Sequence, residues 1–225
     1  MLYLRQVFTI AAKDLRSELR TKEALNSSFA FSMVILVLFS FAFDPSSEQL
    51  HEISGGLLWL VYSFAGALSL NRGFARELEN DCLDALVASP VPVSALFLGK
   101  ALANYALLMA VEMVGFLVFG LLYDVQAAHY FWPVLLVIAL GTWAMVVVGT
   151  MFSAVTVNLR MREMMLPIII YPLLLPALMA AMTTTTDLLN GAPFGPNLIF
   201  LRVLLAVDLI YTLLSMIFIE FVLVG

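Results

Sequence analysis

The sequence predicts an all-α integral membrane protein with six transmembrane helices. Its 225 residues are 63% hydrophobic and 12% charged, and the mean hydropathy is +1.02, which is far too apolar for a water-soluble domain of this length. Six apolar runs are each about long enough to cross a hydrocarbon core of roughly 30 Å. They lack the polar and apolar alternation of an outer-membrane barrel strand, so the spans are predicted to be helices.

An interfacial amphipathic helix is predicted before the first span, over residues 1–23. One helical face carries Leu4, Phe8, Ala11, Leu15 and Leu19, and the opposite face carries Lys13, Arg16 and Arg20. This pattern is typical of a helix that lies in the membrane surface with its cations near anionic headgroups. A solvated basic tail is the alternative.

The remaining chain is predicted to form a single transmembrane domain, 1–225. Its spans cover about residues 27–43, 55–71, 97–122, 133–157, 164–183 and 203–223. The segments between them are too short for a soluble catalytic domain. We expect residues 44–54 and the region of "TTTTD" at 183–187 to form outer loops.

The positions of lysine and arginine predict the orientation. Ten of the eleven lie on one side of the predicted spans, and cationic loops face the cytoplasm. Both termini, the segment 72–96 and the turn at 158–163 are therefore expected in the cytoplasm. Arg202, at the outer start of the sixth span, is the exception.

The segment between the second and third spans is unusually charged, with six charged residues between Arg72 and Asp84. Placing each of these charges at the bilayer centre costs roughly 2.5–3.5 kcal/mol. We therefore expect this segment to stay in water or against protein. Its apolar residues at helical spacing are Phe74, Leu78, Cys82 and Ala85. A short helix of this kind, ended by the following "SPVP", is typical of docking into a groove on a partner. An ordinary solvated loop is the alternative.

The fifth span contains Pro167, Pro172 and Pro176. Each proline removes a backbone donor and presses on the preceding turn, so we expect a bent or locally unwound helix. Such a helix is a candidate hinge or cavity lining. Because prolines are common in membrane helices, a kink that serves only packing is the alternative.

Three carboxylates within the predicted spans are candidates for function. Glu112 lies in the middle of the third span, Asp208 lies in the sixth, and Glu220 lies near the inner end of the sixth. A carboxylate in the bilayer costs several kcal/mol unless it is paired, protonated or facing water. Glu112 is therefore the strongest candidate. Helix packing and snorkelling are the alternatives for all three.

The sequence contains no nucleotide-hydrolysis motif of the form G-x-x-x-x-G-K-[ST], so we do not expect the chain to be an ATPase or any other enzyme. His51 and His129 are far apart, and neither belongs to a cluster with metal-ligand spacing. No metal site and no directly bound cofactor are predicted.

Several stretches together carry a family resemblance. "RELENDCLDALVASPVPVSALFLGK" resembles the cytoplasmic coupling segment of type-2 ABC exporter permeases. Together with "LLWLVYSFAGALSLNRGFARELENDCLDAL", "LGTWAMVVVGTMFSAVTVNL" and "PIIIYPLLLPALMAA", the whole chain resembles the haem exporter protein B (CcmB) family. The resemblance implies a permease subunit of the cytochrome c maturation system in the bacterial inner membrane.

The resemblance also implies partners. Two copies of the chain are expected to pair with two copies of a cytoplasmic ABC ATPase (CcmA-like), which supplies ATP hydrolysis. A haem-handling membrane subunit (CcmC-like) and a small single-span subunit (CcmD-like) complete the complex. It acts on a periplasmic haem chaperone (CcmE-like), so haem is handled by the complex, and nucleic acid is not a partner. ATP hydrolysis is expected to release the haem-loaded chaperone.

The residues that match the family's coupling pattern are expected to contact the ATPase. They are Arg76, Glu77, Glu79, Leu83, Leu86, Ser89 and Pro90. Leu78, from the apolar stripe, is added to this set. Where relatives tend to have glycine followed by serine or threonine, this chain has Asp81 and Cys82, which favours a continuous helix over a tight turn.

Two other functions are compatible with the residues. One is a type-2 ABC exporter permease for a lipid, glycan or drug, which requires a substrate path lined by residues such as Glu112. The other is an assembly scaffold that gathers haem-delivery partners without transporting anything.

Overall fold

The computed structural model describes residues 2–44, 47–71, 74, 90–123, 131–156 and 162–224. Every secondary-structure element within these ranges is an α-helix, so the predicted all-α class is confirmed. The helices are α1 Leu2–Thr21, α2 Glu23–Ala42, α3 Glu48–Leu70, α4 Val93–Leu122, α5 Phe131–Thr156, α6 Arg162–Leu189 and α7 Leu198–Val224.

Six of these helices, α2 to α7, are long and apolar enough to cross a membrane. The shortest, α2, has 20 residues, which at 1.5 Å per residue matches a hydrocarbon core of about 30 Å. The longest, α4, has 30 residues and so exceeds that thickness. The six helices coincide with the six predicted apolar runs, and most extend a few residues beyond them.

The second span begins earlier than the sequence suggested. We expected residues 44–54 to form a loop, but α3 starts at Glu48. Ser47 caps this start, because its side chain accepts a hydrogen bond from the Leu50 N–H at 3.3 Å, and Glu48 places a negative charge beside the N-terminus of the helix. His51 consequently lies in the first turns of a helix. His129 lies outside the described residues.

The fifth span ends later than the sequence suggested. The threonines of "TTTTD" are not an outer loop but part of α6, which continues to Leu189. Their hydroxyls are used inside the bundle: Thr184 donates to the Ala180 carbonyl at 2.8 Å, and Thr185 accepts from the Trp59 indole N–H at 3.0 Å. A run of threonines that resembles a polar loop therefore forms helix-to-helix contacts.

The three prolines of α6 do not interrupt it. The helix is continuous across Pro167, Pro172 and Pro176, so of the two expected outcomes, bending or local unwinding, unwinding does not occur at these residues. Neighbouring helices bond into this stretch, since the Tyr171 hydroxyl donates to the Ser63 carbonyl at 2.7 Å and the Tyr211 hydroxyl donates to the Leu173 carbonyl at 2.6 Å. Hydrogen bonds to α3 and α7 therefore connect the proline-rich stretch to its neighbours. A hinge role for them stays a prediction.

The helices α3 and α5 form the centre of the bundle. About two-thirds of each apolar span is buried within the chain, against about a fifth for α2 and α7. The chain packs α5 against α6 and α7, α3 against α2 and α6, and α1 against α4. Large apolar side chains such as Phe41, Leu209 and Phe221 are exposed on the outer helices, as expected where a helix faces lipid.

Close approach of α3 and α6 depends on Gly55. Its N–H donates to the Thr186 hydroxyl at 3.1 Å, and a Cβ at this position would lie 2.6 Å from the Thr186 backbone nitrogen. A Cβ on the adjacent Gly56 would meet nothing within 4 Å. Two neighbouring glycines therefore have different roles, and only the first is required for packing.

We expect Gly55→Ala to destabilise the chain by about 1–3 kcal/mol, because the α3 and α6 backbones must separate to admit a methyl group. Gly56→Ala is the matched control and should leave stability unchanged or slightly raised, since alanine is the better helix former. Thermal unfolding of the detergent-purified variants measures both. Equal midpoints for the two variants would contradict the packing role of Gly55.

Candidate functional site

An ion pair between a buried lysine and a partly buried aspartate joins α1 to the beginning of α4. The Lys100 ammonium lies 3.1 Å from the Asp14 carboxylate, and the Lys100 side chain is only 2% exposed. The ammonium also lies 4.8 Å from the centre of the Phe74 ring, within the range of a cation–π interaction. Phe74 itself is fully buried. We call Asp14, Lys100 and Phe74 the junction, because they join three separate segments of the chain.

The backbones of α1 and α4 come close together beside the junction. A Cβ on Gly99 would lie 2.7 Å from the Ile10 Cβ and 2.9 Å from the Val7 carbonyl oxygen. At the start of α4, the Tyr3 hydroxyl donates to the Ser94 hydroxyl at 3.3 Å. Glycine at position 99 therefore permits α1 to seat against α4, which brings Asp14 within reach of the Lys100 ammonium.

The link from α1 to α2 is also fixed by a carboxylate. Lys22, which has a positive φ of 57°, separates the two helices. The Glu18 carboxylate accepts hydrogen bonds from the backbone N–H groups of Ala24 at 2.7 Å and Leu25 at 3.2 Å. These N–H groups belong to the first turn of α2, where helical partners are lacking and negative charge is favourable. Glu18 therefore holds the angle between the helices.

A second candidate region lies between the spans and is centred on Glu112. This residue of α4 is fully buried. The Thr142 hydroxyl of α5 donates to Glu112 Oε2, while the Tyr62 hydroxyl of α3 donates to the Glu112 backbone carbonyl at 2.9 Å. Glu112 Oε1 has no hydrogen-bond partner among the described residues. Among the described residues, only one of the two Glu112 carboxylate oxygens therefore accepts a hydrogen bond.

Asp208 of α7 lies towards the same region. It is 6% exposed, and neither carboxylate oxygen has a hydrogen-bond partner within the described part of the chain. One turn further along α7, the Thr212 hydroxyl accepts from the Trp143 indole at 3.1 Å, and the Trp143 ring meets Tyr105 edge-to-face at 5.4 Å. Tyr105 lies two turns before Glu112 on α4 and Thr212 lies one turn after Asp208 on α7, so the contacts of Trp143 bring these two carboxylate-bearing helices together. Glu112, Thr142, Tyr105, Trp143, Thr212 and Asp208 are the polar core.

The structure brings only some of the predicted site residues together. Glu112 and Asp208 share the polar core, whereas Glu220 is exposed near the end of α7. The three prolines lie along α6. Most of the predicted ATPase-contacting residues, from Arg76 to Ser89, lie outside the described residues. Pro90 is described and exposed, shortly before α4 begins at Val93.

Sequence reasoning missed the junction. In the sequence, Lys100 is one of the ten cations that predict the orientation, and no pattern marks Asp14. A signal was available, because Lys100 stands alone among apolar residues within the first turns of a long helix, directly after Gly99. A lone cation in such a position requires a buried partner. Which acidic residue supplies it depends on packing across 86 positions of sequence.

A bundle of six apolar helices, preceded by a docked helix and containing buried carboxylates, defines a multi-pass α-helical membrane protein. The sequence profile of the family described as "CcmB protein" matches residues 5–218. The chain belongs to this family.

Curated relatives are similar over most of the chain. "Heme exporter protein B" of Rhodobacter capsulatus is 33% identical over 169 residues, which cover 75% of this chain and 77% of the relative. The protein of the same name from Pseudomonas aeruginosa is 29% identical over 211 residues, covering 93% and 94% of the two chains. The similarity is therefore not confined to one span.

We expect Asp14→Asn to destabilise the chain by about 1.5–3 kcal/mol, because it removes the charged partner that the buried Lys100 ammonium contacts. Lys13→Met is the matched control: Lys13 contacts the same carboxylate at 2.8 Å, but its side chain is 53% exposed, and exposed ion pairs contribute about 0–1 kcal/mol. Thermal unfolding in detergent measures both variants. If the control lost as much stability as Asp14→Asn, burial of the Lys100 pair would not be the cause.

Proposed function

We propose that the chain is the permease subunit of an ABC-type haem exporter complex that serves cytochrome c biogenesis. The observation that carries this proposal is the family match over residues 5–218, together with near full-length similarity to relatives named "Heme exporter protein B". In the proposed reaction, a partner subunit hydrolyses ATP, and the energy drives release of the haem-loaded chaperone on the far side of the membrane.

The ATPase is proposed to be a separate cytoplasmic subunit. The chain carries no phosphate-binding G-x-x-x-x-G-K-[ST] motif, and its segments between spans are too short for a nucleotide-binding domain. Haem-handling and single-span membrane subunits and a second copy of the chain are the other proposed partners. The distribution of cations supports an inner-membrane orientation with both termini in the cytoplasm.

The proposed route of coupling starts at the charged segment between α3 and α4. Phe74 lies at the beginning of this segment and contacts Lys100 of α4, and Lys100 in turn is paired with Asp14 of α1. If docking of the ATPase displaces this segment, Phe74 moves against Lys100, which belongs to α4 and is held there by Asp14. The junction therefore supports transmission of this displacement to α4 and α1 together.

Deletion of the chain in its native organism tests the proposal. We expect loss of all c-type cytochromes on haem-stained membrane proteins, with haem retained on the periplasmic chaperone, because release of the loaded chaperone requires the complex. The wild-type gene should restore both readouts. Normal cytochromes in the deletion strain would refute the maturation function.

The same strain tests the docking segment. Leu78→Asp combined with Leu86→Asp should fail to restore cytochromes and should lose co-purification of the ATPase, because charges replace the apolar contact residues. An immunoblot of the membranes establishes that the variant is present. Normal ATPase association in this variant would contradict docking through Leu78 and Leu86.

A type-2 exporter of a lipid, glycan or drug is the second candidate, favoured by the unpartnered carboxylate oxygens of Glu112 and Asp208. A third, non-transporting scaffold needs no ionisable group in the spans.

Under the proposed function, we expect Glu112→Gln to keep cytochrome maturation, because an amide oxygen still accepts the Thr142 hydrogen bond and the side-chain volume is retained.

Glu112→Ala is the companion variant. It leaves the Thr142 hydroxyl without its acceptor and opens a cavity, so we expect less assembled complex. Loss of maturation in Glu112→Gln with a fully assembled complex would instead favour a transport path that requires a carboxyl group at position 112.

A further inference from the structure

Helix α1 has three distinct faces. The first is docked on the bundle through residues such as Val7 and Ile10, which meet Gly99. The second is an apolar face on which Leu4 is 61%, Phe8 64% and Leu19 50% exposed. The third, which we call the cationic face, consists of Arg5, Lys13, Arg16 and Arg20, all of which are exposed. A helix held at the membrane surface by lipid contacts alone would need only the apolar face and the cationic face.

Charge is separated between these faces, apart from the contact of Lys13 with Asp14 at 2.8 Å. The acidic residues of α1 are Asp14 and Glu18, and both turn towards the protein: Asp14 pairs with Lys100, and Glu18 bonds the start of α2. The arginines turn outwards, although the chain as a whole has a net charge of −5. The cationic face therefore has the opposite sign to the rest of the protein, which indicates an anionic occupant.

The cationic face carries a shallow, open depression that is lined by Arg5, Phe8, Thr9, Ala12, Lys13 and Arg16, all of α1. Arg5 and Arg16 stand at its two ends, about 16 Å apart along the helix. The Thr9 hydroxyl already donates to the Arg5 carbonyl at 2.7 Å, so the guanidinium groups are the principal donors available to a ligand.

Docking on α4 fixes how these faces are presented. Tyr3 bonds Ser94 near one end of α1, and Asp14 pairs with Lys100 further along the helix. Two contacts with α4, eleven residues apart on α1, therefore fix its rotation. With its rotation fixed by the docked face, α1 holds the apolar and cationic faces side by side near the starts of α2 and α4.

We propose that α1 binds anionic phospholipids of the leaflet in which α2 and α4 begin. The arginines hold headgroup phosphates through charge-assisted hydrogen bonds, and Leu4, Phe8 and Leu19 lie among the adjoining acyl chains. A nucleic acid or an acidic peptide would satisfy the arginines but would leave the neighbouring apolar face in water. The adjacency of the two faces is what selects an amphipathic ligand.

Lipid retention by the full chain tests this proposal. The chain is reconstituted in nanodiscs with equal amounts of phosphatidylglycerol and phosphatidylcholine, and lipids that remain bound after mild detergent extraction are counted by native mass spectrometry. We expect the wild type to retain phosphatidylglycerol preferentially. Each cation near an anionic surface strengthens lipid binding about fivefold. Loss of three arginines should therefore weaken this retention roughly a hundredfold, and the variant that tests this combines Arg5→Gln, Arg16→Gln and Arg20→Gln.

Two variants serve as controls. Replacement of the same three arginines by lysine keeps the charge and should retain most of the preference. Arg202→Gln changes an exposed arginine at the start of α7 and should have no effect. Thermal unfolding should be unchanged in the triple glutamine variant, because the docked face of α1 is untouched.

The proposal is overturned if the triple glutamine variant retains as much phosphatidylglycerol as the wild type, or if Arg202→Gln causes the same loss. Binding of poly-glutamate to the detergent-solubilised chain as tightly as phosphatidylglycerol would also overturn it, in favour of an acidic protein partner. Because the readout is bound lipid rather than haem delivery, its failure is separate from failure of the proposed function.

Discussion

Polar groups between membrane-spanning helices must find their hydrogen-bond partners within the protein, and this constraint determines where the helices of this bundle meet. Trp59 bonds Thr185, Trp143 bonds Thr212, and Tyr62 bonds the backbone of Glu112, and each bond joins two different helices. Hydrophobic burial alone would not select these contacts, because lipid is as apolar as the facing side chains. Polar pairs and glycines therefore specify the packing.

The same constraint applies most strongly at Lys100, where a full charge enters the bundle. Burial of an ammonium requires compensating partners, and Asp14 and Phe74 come from two other segments of the chain. Displacing any one of the three segments disturbs the environment of that charge. The junction thereby links the start of the proposed coupling segment, the first turns of α4 and the N-terminal helix into one mechanical unit.

The polar core differs from the junction because it is incompletely satisfied. Oxygens of Glu112 and Asp208 are buried without a hydrogen-bond partner among the described residues, whereas the Lys100 ammonium has Asp14. Unsatisfied buried groups are uncommon in folded proteins, which distinguishes the polar core from the junction. The bundle thus separates a well-paired junction at one end from an under-paired centre between α4, α5 and α7.

The sequence by itself determined the class of protein, the six spans, the amphipathic N-terminal helix and the family, because hydropathy, helical periodicity and motif similarity are local properties of the chain. It did not determine the ends of the spans: α3 begins early, at the cap formed by Ser47, and α6 continues through the buried Thr184 and Thr185. Nor did it reveal the docked face of α1.

Bonds such as Trp59 to Thr185 and Asp14 to Lys100 join residues 126 and 86 positions apart. Only the tertiary structure decides such pairs, because many hydroxyls and carboxylates could satisfy the same donor, and the choice among them is made by which helices pack together.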